Sequence, residues 1–155
     1  MSKIGVVSLG CSKNLVDTEY MLTLLKNCGH SLVSKPQNAE VLIINTCGFI
    51  EPAKQESINT ILEMAEYKKQ GSCKTLIVTG CLSERYKEEL KLELPEVDYF
   101  LGVREYDKLP ALLGSAISSA AVACLLPRIL TTPFYSAYLR ISDGCDNRCT
   151  YCAIP

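Results

Sequence analysis

Hydrophobic and polar positions follow two alternating patterns along most of the chain. Continuous apolar runs rich in Val and Ile, at residues 4–9, 41–44 and 76–78, are typical of parallel strands buried on both faces. After each run, apolar residues recur at i, i+3, i+4 and i+7, which is the spacing of an amphipathic helix. Two weaker runs at residues 31–34 and 97–101 add further strands. The alternation predicts an α/β fold with an open parallel sheet and helices on both faces.

Capping and helix-breaking residues mark the ends of the predicted helices. Asn14 and Ser83 are predicted N-caps, and Pro52 suits the first turn of the second helix. Gly29 and Gly71 are predicted to end the first two helices. A shorter helix is expected over residues 106–113.

The same pattern divides the chain into a large first domain and the start of a second. Residues 1–115 contain the repeated strand and helix units. Residues 116–133, which are rich in small residues and contain prolines, are predicted to form a linker. A strand over residues 135–142 is expected to open the second domain, at 134–155, which is too short to be complete and is therefore expected to be truncated.

Composition narrows the class of protein. A chain of 155 residues with 48% hydrophobic content can bury a sizeable core. Its formal charge of −1, from 16 basic and 17 acidic residues, gives no overall field for attracting nucleic acid, and RNA contact is left open. No segment has the pattern of a signal peptide or membrane span, so we expect a cytoplasmic protein without membrane contact. In a reducing compartment, nine cysteines indicate metal or redox sites before disulfides.

The strongest chemical signal is a CxxxCxxC motif formed by Cys145, Cys149 and Cys152. A 4Fe-4S cubane has one iron more than this motif has thiolates, so one iron would stay open for a ligand. By itself the spacing indicates a three-thiolate metal or redox site. Zinc is the alternative, although it usually requires a further ligand and no histidine lies nearby.

A second set of cysteines is dispersed in sequence. Cys11, Cys47 and Cys81 each follow one of the three strong strands, about one strand-helix-strand unit apart. Because parallel strands end at one edge of a sheet, their thiols should converge there, and the helix N-termini that follow should lower the thiol pKa. The hypothesis is a second cluster with an open iron; the alternative is that these cysteines are small buried apolar residues. The other cysteines are expected to be core or incidental residues: Cys28, Cys73 and Cys124.

With both cysteine sets identified, the chain resembles the methylthiotransferase family of radical S-adenosylmethionine (SAM) enzymes along essentially its whole length. The CxxxCxxC motif is similar to the radical SAM signature. Residues 9–19, LGCSKNLVDTE, resemble the branch that modifies an aspartate of small-subunit ribosomal protein S-twelve. The tRNA-modifying branch typically has Gln-Met-Asn where this chain has Ser12, Lys13 and Asn14.

The resemblance implies a fold, two cofactor sites and a reaction. An N-terminal methylthiotransferase domain with an auxiliary 4Fe-4S cluster would precede a partial (β/α) barrel with the SAM-cleaving 4Fe-4S cluster. The implied ligands are Cys11, Cys47 and Cys81 for the first cluster and Cys145, Cys149 and Cys152 for the second. Tyr151 would lie against the SAM adenine, unless it is only an aromatic at the barrel rim.

The implied reaction adds a methylthio group to the β-carbon of an aspartate of ribosomal protein S-twelve. A radical derived from SAM would abstract the β-hydrogen, since that C–H bond is unactivated, and an electron donor such as flavodoxin or ferredoxin would be required. With most of the barrel missing, this chain alone is expected to be inactive.

Three alternatives stay open at this point. One is a tRNA adenosine methylthiotransferase with the same two clusters. Another is a non-catalytic iron-sulfur or zinc module, in which the cysteines are structural or redox-active only. A disulfide scaffold is disfavoured because no secretory segment is present.

Overall fold

Five strands form a single sheet in the computed structural model, which describes residues 1–114, 128–142, 144–152 and 154. The strand order is β2–β1–β3–β4–β5, and each neighbouring pair is parallel. The strands are β1 (Lys3–Ser8), β2 (Ser31–Val33), β3 (Val41–Thr46), β4 (Thr75–Gly80) and β5 (Tyr99–Phe100). The predicted open parallel sheet is confirmed.

Helices alternate with the strands and cover both faces of the sheet. They are α1 (Ser12–Asn27), α2 (Glu51–Lys69), α3 (Cys81–Glu93) and α4 (Leu109–Leu112), with short 3-10 helices at Pro36–Asn38 and Tyr106–Lys108. Helices α1 and α4 share one apolar cluster with the sheet, and α2 and α3 share the other. None of the helices in the described part of the chain combines the length and apolar character needed to cross a membrane.

The central strand β3 is buried along its whole length. Its side chains alternate between the two apolar clusters because successive strand residues point to opposite faces. Leu42 and Ile44 pack with α2 and α3, whereas Val41 and Ile43 pack with α1 and α4. This burial on both faces explains the continuous apolar run in the sequence.

Two predicted N-caps are wrong because the chain passes from strand to helix sooner than expected. Helix α1 begins at Ser12 and α3 begins at Cys81, so Asn14 and Ser83 lie inside the helices and both are buried. At the second junction Gly80 has φ +99° and ψ −166°, a backbone conformation open essentially to glycine alone. The strand therefore turns within one residue and delivers the next one directly to a helix N-terminus.

Other predicted boundaries are confirmed. Pro52 lies in the first turn of α2, and Gly29 and Gly71 each follow closely after a helix end. The predicted helix at 106–113 is present as a 3-10 helix followed by α4.

The strand expected over residues 135–142 is not formed in the described part of the chain. Instead, a turn joins the Ser136 amide to the Pro133 carbonyl oxygen at 2.9 Å, and most side chains here are exposed. A strand requires a hydrogen-bonding neighbour, and no described residues pair with this segment as a ladder. The predicted linker at 116–133 lies largely outside the described residues.

We expect Gly80→Ala to destabilise the fold by about 3 kcal/mol or more, because the added Cβ meets both strain and overlap. It would lie 2.3 Å from the Thr46 carbonyl oxygen and 2.5 Å from Asn45 Oδ1. Gly71→Ala is the matched control, since Gly71 also has positive φ but open space around it, and should cost about 1 kcal/mol. Urea unfolding of both variants checks this; equal losses would contradict it.

Candidate functional site

The order of the strands places a crevice at one edge of the sheet. From β1 the sheet extends to β2 on one side and to β3 on the other, so the connections diverge between β1 and β3. Ligands of open α/β proteins bind at such a switch point, beyond the carboxyl ends of the strands. Cys11 follows β1 and Cys47 follows β3, while Cys81 follows the neighbouring β4. The fold therefore brings all three strand-end cysteines to this edge.

Close packing of glycines holds the three cysteine loops against one another. A Cβ added to Gly10 would lie only 2.6 Å from the Cβ and 2.9 Å from the Sγ of Cys47. A Cβ added to Gly48 would lie 2.9 Å from the Cα of Leu82, in the first turn of α3. Neither position has room for a side chain, so the Gly10 backbone lies directly against the Cys47 side chain and the Gly48 backbone against that of α3.

Asn14 is the buried polar residue that ties the loops together. Its side-chain Nδ2 donates hydrogen bonds to the carbonyl oxygens of Leu9, at 3.0 Å, and Thr46, at 2.9 Å. The Cys81 Sγ lies 3.8 Å from its Oδ1 and donates a weak hydrogen bond to it. One amide thus contacts the strand ends that precede Cys11 and Cys47, and the third thiol itself. Capping rules predict an N-cap at Asn14 and miss this role; the sequence signal for it is the position of Asn14 within the first helical turn after a strand end.

A second layer of hydrogen bonds fixes Cys47. The backbone N–H of Cys47 donates to Ser57 Oγ at 3.1 Å, and that hydroxyl donates to the Cys47 carbonyl oxygen at 2.9 Å. On the other side, Asn45 Nδ2 donates to the Asn14 carbonyl oxygen at 2.8 Å and to Thr18 Oγ1 at 3.0 Å. These buried groups satisfy one another, which makes the carboxyl edge of the sheet a preorganised polar layer.

Burial dominates the electrostatics of Cys81. Desolvation raises the pKa of its thiol, the nearby Lys13 ammonium lowers it, and Cys47 and Cys11 raise it. The prediction that the helix N-terminus lowers the thiol pKa is therefore wrong for Cys81, because the net shift of its pKa is upward. A thiol held in its protonated form must lose a proton when it binds a cation, so ligation here would release a proton.

The second cysteine set lies near the end of the chain in irregular structure. Cys145 and Cys149 are exposed and Cys152 is half-buried. The Cys152 amide donates to the Cys149 carbonyl oxygen at 3.0 Å, so these two residues share one turn. The side chain of Tyr151 is 90% exposed. These thiols are therefore accessible to a metal centre from solvent.

The donor set is compatible with an iron-sulfur cluster. Among the residues that the structure describes, no three Cys, His, Asp or Glu side chains converge as one metal ion would require. A 4Fe-4S cluster distributes its thiolates over separate irons, so the sulfurs need not meet at one point. Three thiols on touching loops are compatible with that larger group.

The remaining cysteines are not part of this edge. Cys73 is buried in the apolar core, where its Sγ donates to the Thr75 carbonyl oxygen at 3.2 Å. Cys28 is half-buried at the C-cap of α1 rather than in the core. Cys124 lies outside the described residues.

We expect Asn14→Ala to destabilise the chain by about 1–3 kcal/mol or more, because the buried Thr46 carbonyl and the partly buried Leu9 carbonyl both lose their donor. Asn14→Asp should cost more, because a carboxylate repels both carbonyl oxygens. Asn59→Ala is the control, since Asn59 is exposed on α2 and only accepts from Gln55. Chemical unfolding of the metal-free chain measures the differences, and a cost for Asn14→Ala no larger than that for Asn59→Ala would contradict the role assigned to the amide.

Sequence comparisons identify the family of the chain. Residues 3–102 match the family described as "Uncharacterized protein family UPF0004". The chain is 50% identical to the ribosomal protein uS12 methylthiotransferase RimO of Caldicellulosiruptor saccharolyticus, with 100% of this chain and 38% of that protein covered. It is also 50% identical to the protein of that name from Clostridioides difficile, with 100% and 37% covered.

A third bacterium gives the same result. The chain is 52% identical to the protein of that name from Myxococcus xanthus, with 97% of this chain and 33% of that protein covered. The chain thus spans between 33% and 38% of the length of these three curated relatives. The family match covers the sheet domain with all three strand-end cysteines, and the predicted resemblance is confirmed. The chain belongs to the UPF0004 family of methylthiotransferases, in the branch whose curated members are named for ribosomal protein uS12.

Proposed function

We propose that this chain is the N-terminal part of an enzyme that adds a methylthio group to the β-carbon of an aspartate of ribosomal protein uS12. The observation that carries the proposal is the position of Cys11, Cys47 and Cys81 just after the carboxyl ends of three neighbouring strands, beside the switch point of the sheet. Their loops pack against one another, so the three cysteines share one edge of the sheet, as a common auxiliary cluster requires. The names of the curated relatives support the choice of substrate.

In this proposal the two cysteine sets hold two 4Fe-4S clusters. Cys11, Cys47 and Cys81 hold the auxiliary cluster, and Cys145, Cys149 and Cys152 hold the cluster that binds SAM. When bound, these clusters would supply the electron for SAM cleavage and the site for sulfur transfer. Each set provides three thiolates, which leaves an iron for an outside ligand.

The residues around the auxiliary set have distinct tasks. Asn14 fixes the spacing of the three loops, and Ser57 fixes the backbone of Cys47 on both sides. Lys13 lowers the pKa of the Cys81 thiol against the effect of burial, so its charge favours the thiolate that iron binds. The protein thereby fixes the backbones of the loops that carry the three thiols.

At the second set, the exposed ring of Tyr151 is available to stack against the adenine of SAM. A planar aromatic side chain beside a metal-bound nucleoside would orient it by offset stacking. A reduced flavodoxin or ferredoxin is the proposed electron donor, and we place the reaction in the cytoplasm. The alternative substrate is a tRNA adenosine, and the names of the relatives favour the ribosomal protein.

Anaerobic reconstitution with iron and sulfide should load about eight irons per chain, four at each cysteine set. Cys47→Ser and Cys149→Ser should each reduce the content to about four, because each removes one ligand of one cluster. Iron and sulfide analysis, together with EPR spectra of the reduced protein, gives the measurement.

Cys73→Ser serves as the control, because Cys73 is a core cysteine away from both sets, and it should keep the full iron content. Iron content unchanged by Cys47→Ser would show that the strand-end thiols do not hold a cluster. Bound zinc without iron would overturn the proposal.

The substrate is tested with the full-length enzyme, SAM and a reductant. We expect a mass increase of one methylthio group on an aspartate of purified uS12 and none on tRNA adenosine. Mass spectrometry of the digested protein and RNA measures both products in one reaction mixture. Modified tRNA together with unmodified uS12 would contradict the proposed substrate and show that the enzyme acts on tRNA adenosine.

A further inference from the structure

One polar face of α1 binds the segment that leads to the CxxxCxxC motif. We call this face the α1 seat and define it as Asp17, Glu19, Tyr20 and Thr23. The docked segment is residues 128–142. Every α1 residue in the seat makes a hydrogen bond, ion pair or cation-π contact with the docked segment. Neither the fold nor the proposed cysteine sites account for these contacts.

Glu19 is the most buried part of the seat, with 1% of its side chain exposed. Its Oε1 accepts hydrogen bonds from the Thr131 amide at 2.7 Å and the Thr131 hydroxyl at 2.9 Å. Its Oε2 lies 2.8 Å from Nε of Arg128. A carboxylate is almost never fully buried unless it is paired, and these partners of Glu19 all belong to the docked segment. The Glu19 carboxylate therefore binds the docked segment at Arg128 and Thr131.

Asp17 pairs with one basic residue near each of the two cysteine sets. Its Oδ1 lies 2.7 Å from a guanidinium nitrogen of Arg140, and its Oδ2 lies 3.1 Å from the Lys13 ammonium. Lys13 closely follows Cys11, and Arg140 shortly precedes Cys145. A single buried carboxylate therefore joins a residue beside the first cysteine set to a residue beside the second.

Tyr20 adds an aromatic contact between these ion pairs. The guanidinium carbons of Arg128 and Arg140 each lie 5.6 Å from the centre of its ring, within cation-π distance. Arg128 also donates a hydrogen bond to the Tyr138 carbonyl oxygen, which closes the docked segment on itself. Both ends of the segment are thus held on the same helix.

We infer that the α1 seat positions the CxxxCxxC motif relative to the strand-end cysteines, with Asp17 and Glu19 as the positioning residues. A helix that begins beside Cys11 and binds the residues just before Cys145 fixes the separation between the two thiol sets. The reaction assigned to the two cysteine sets rests on the proposed function, whereas the binding of residues 128–142 to α1 does not. A transfer between two metal centres requires that their separation be held constant, and the seat provides that constraint.

Hydrogen exchange of the iron-free full-length protein tests the docking. In the wild type, the amides of Thr131 and Ile129 are bound to Glu19 and Thr23, so peptides covering residues 128–142 should exchange slowly. Glu19→Ala should accelerate that exchange by about tenfold or more, because a hydrogen bond to a charged group is lost. Glu66→Ala is the control, since Glu66 forms an exposed pair with Lys69 on α2.

Thr23→Ala keeps the test decisive if Glu19→Ala does not fold. Thr23 Oγ1 accepts from the Ile129 amide at 2.8 Å and donates to the Glu19 carbonyl oxygen, whereas Thr60 on α2 makes only the equivalent bond within its own helix. Thr23→Ala should therefore accelerate exchange of the segment, and Thr60→Ala should leave it unchanged. Fast exchange of the segment in the wild type, or no acceleration in either seat variant, would overturn the inference.

The positioning role has its own measurement in the reconstituted enzyme. Asp17→Asn should leave the iron content unchanged but alter the dipolar EPR interaction between the two reduced clusters, and Asp17→Glu should restore it in part. An identical interaction in the wild type and Asp17→Asn would refute the positioning role. If the clusters do not assemble at all, the proposed function fails, while the exchange experiment still decides whether the seat binds the segment.

Discussion

The side-chain amide of Asn14 is the interaction on which the arrangement of the site depends. Parallel strands end with carbonyl groups that lack a partner in the sheet, and here one such group, of Thr46, is buried and another, of Leu9, is partly buried beside the cysteines. Asn14 satisfies both with one nitrogen and turns its oxygen toward the third thiol. Leaving such carbonyls unbonded would cost about 1–3 kcal/mol each, so the loops are held where the amide holds them. The positions of the thiols follow from this constraint.

The same helix connects this arrangement to the rest of the chain. Helix α1 begins directly after Cys11, contributes Asn14 to the strand ends and presents Asp17 and Glu19 to residues 128–142. One face of α1 packs in the apolar core, so its polar residues cannot move independently of the sheet. The helix thus couples three things through one rigid element: the core, the strand-end thiols and the segment that leads to the second cysteine set.

Much of this architecture was predictable because it depends on local periodicity. The apolar runs at 41–44 and 76–78 correspond to β3 and β4, and the strand-end position of Cys47 and Cys81 followed from parallel topology. The predicted caps at Asn14 and Ser83 failed because capping rules consider a helix by itself, whereas here tight glycine turns start the helices earlier. Tertiary contacts such as the seat on α1 have no sequence period, and the predicted strand at 135–142 lacked a neighbouring strand to pair with.

Iron anomalous scattering from crystals of the anaerobically reconstituted protein tests whether three strand ends deliver their thiols to one centre at the switch point of the sheet. We expect an iron peak bounded by the Sγ atoms of Cys11, Cys47 and Cys81, with a separate peak at the CxxxCxxC motif. Iron only at the CxxxCxxC motif, with the three strand-end thiols in contact with protein atoms alone, would contradict it.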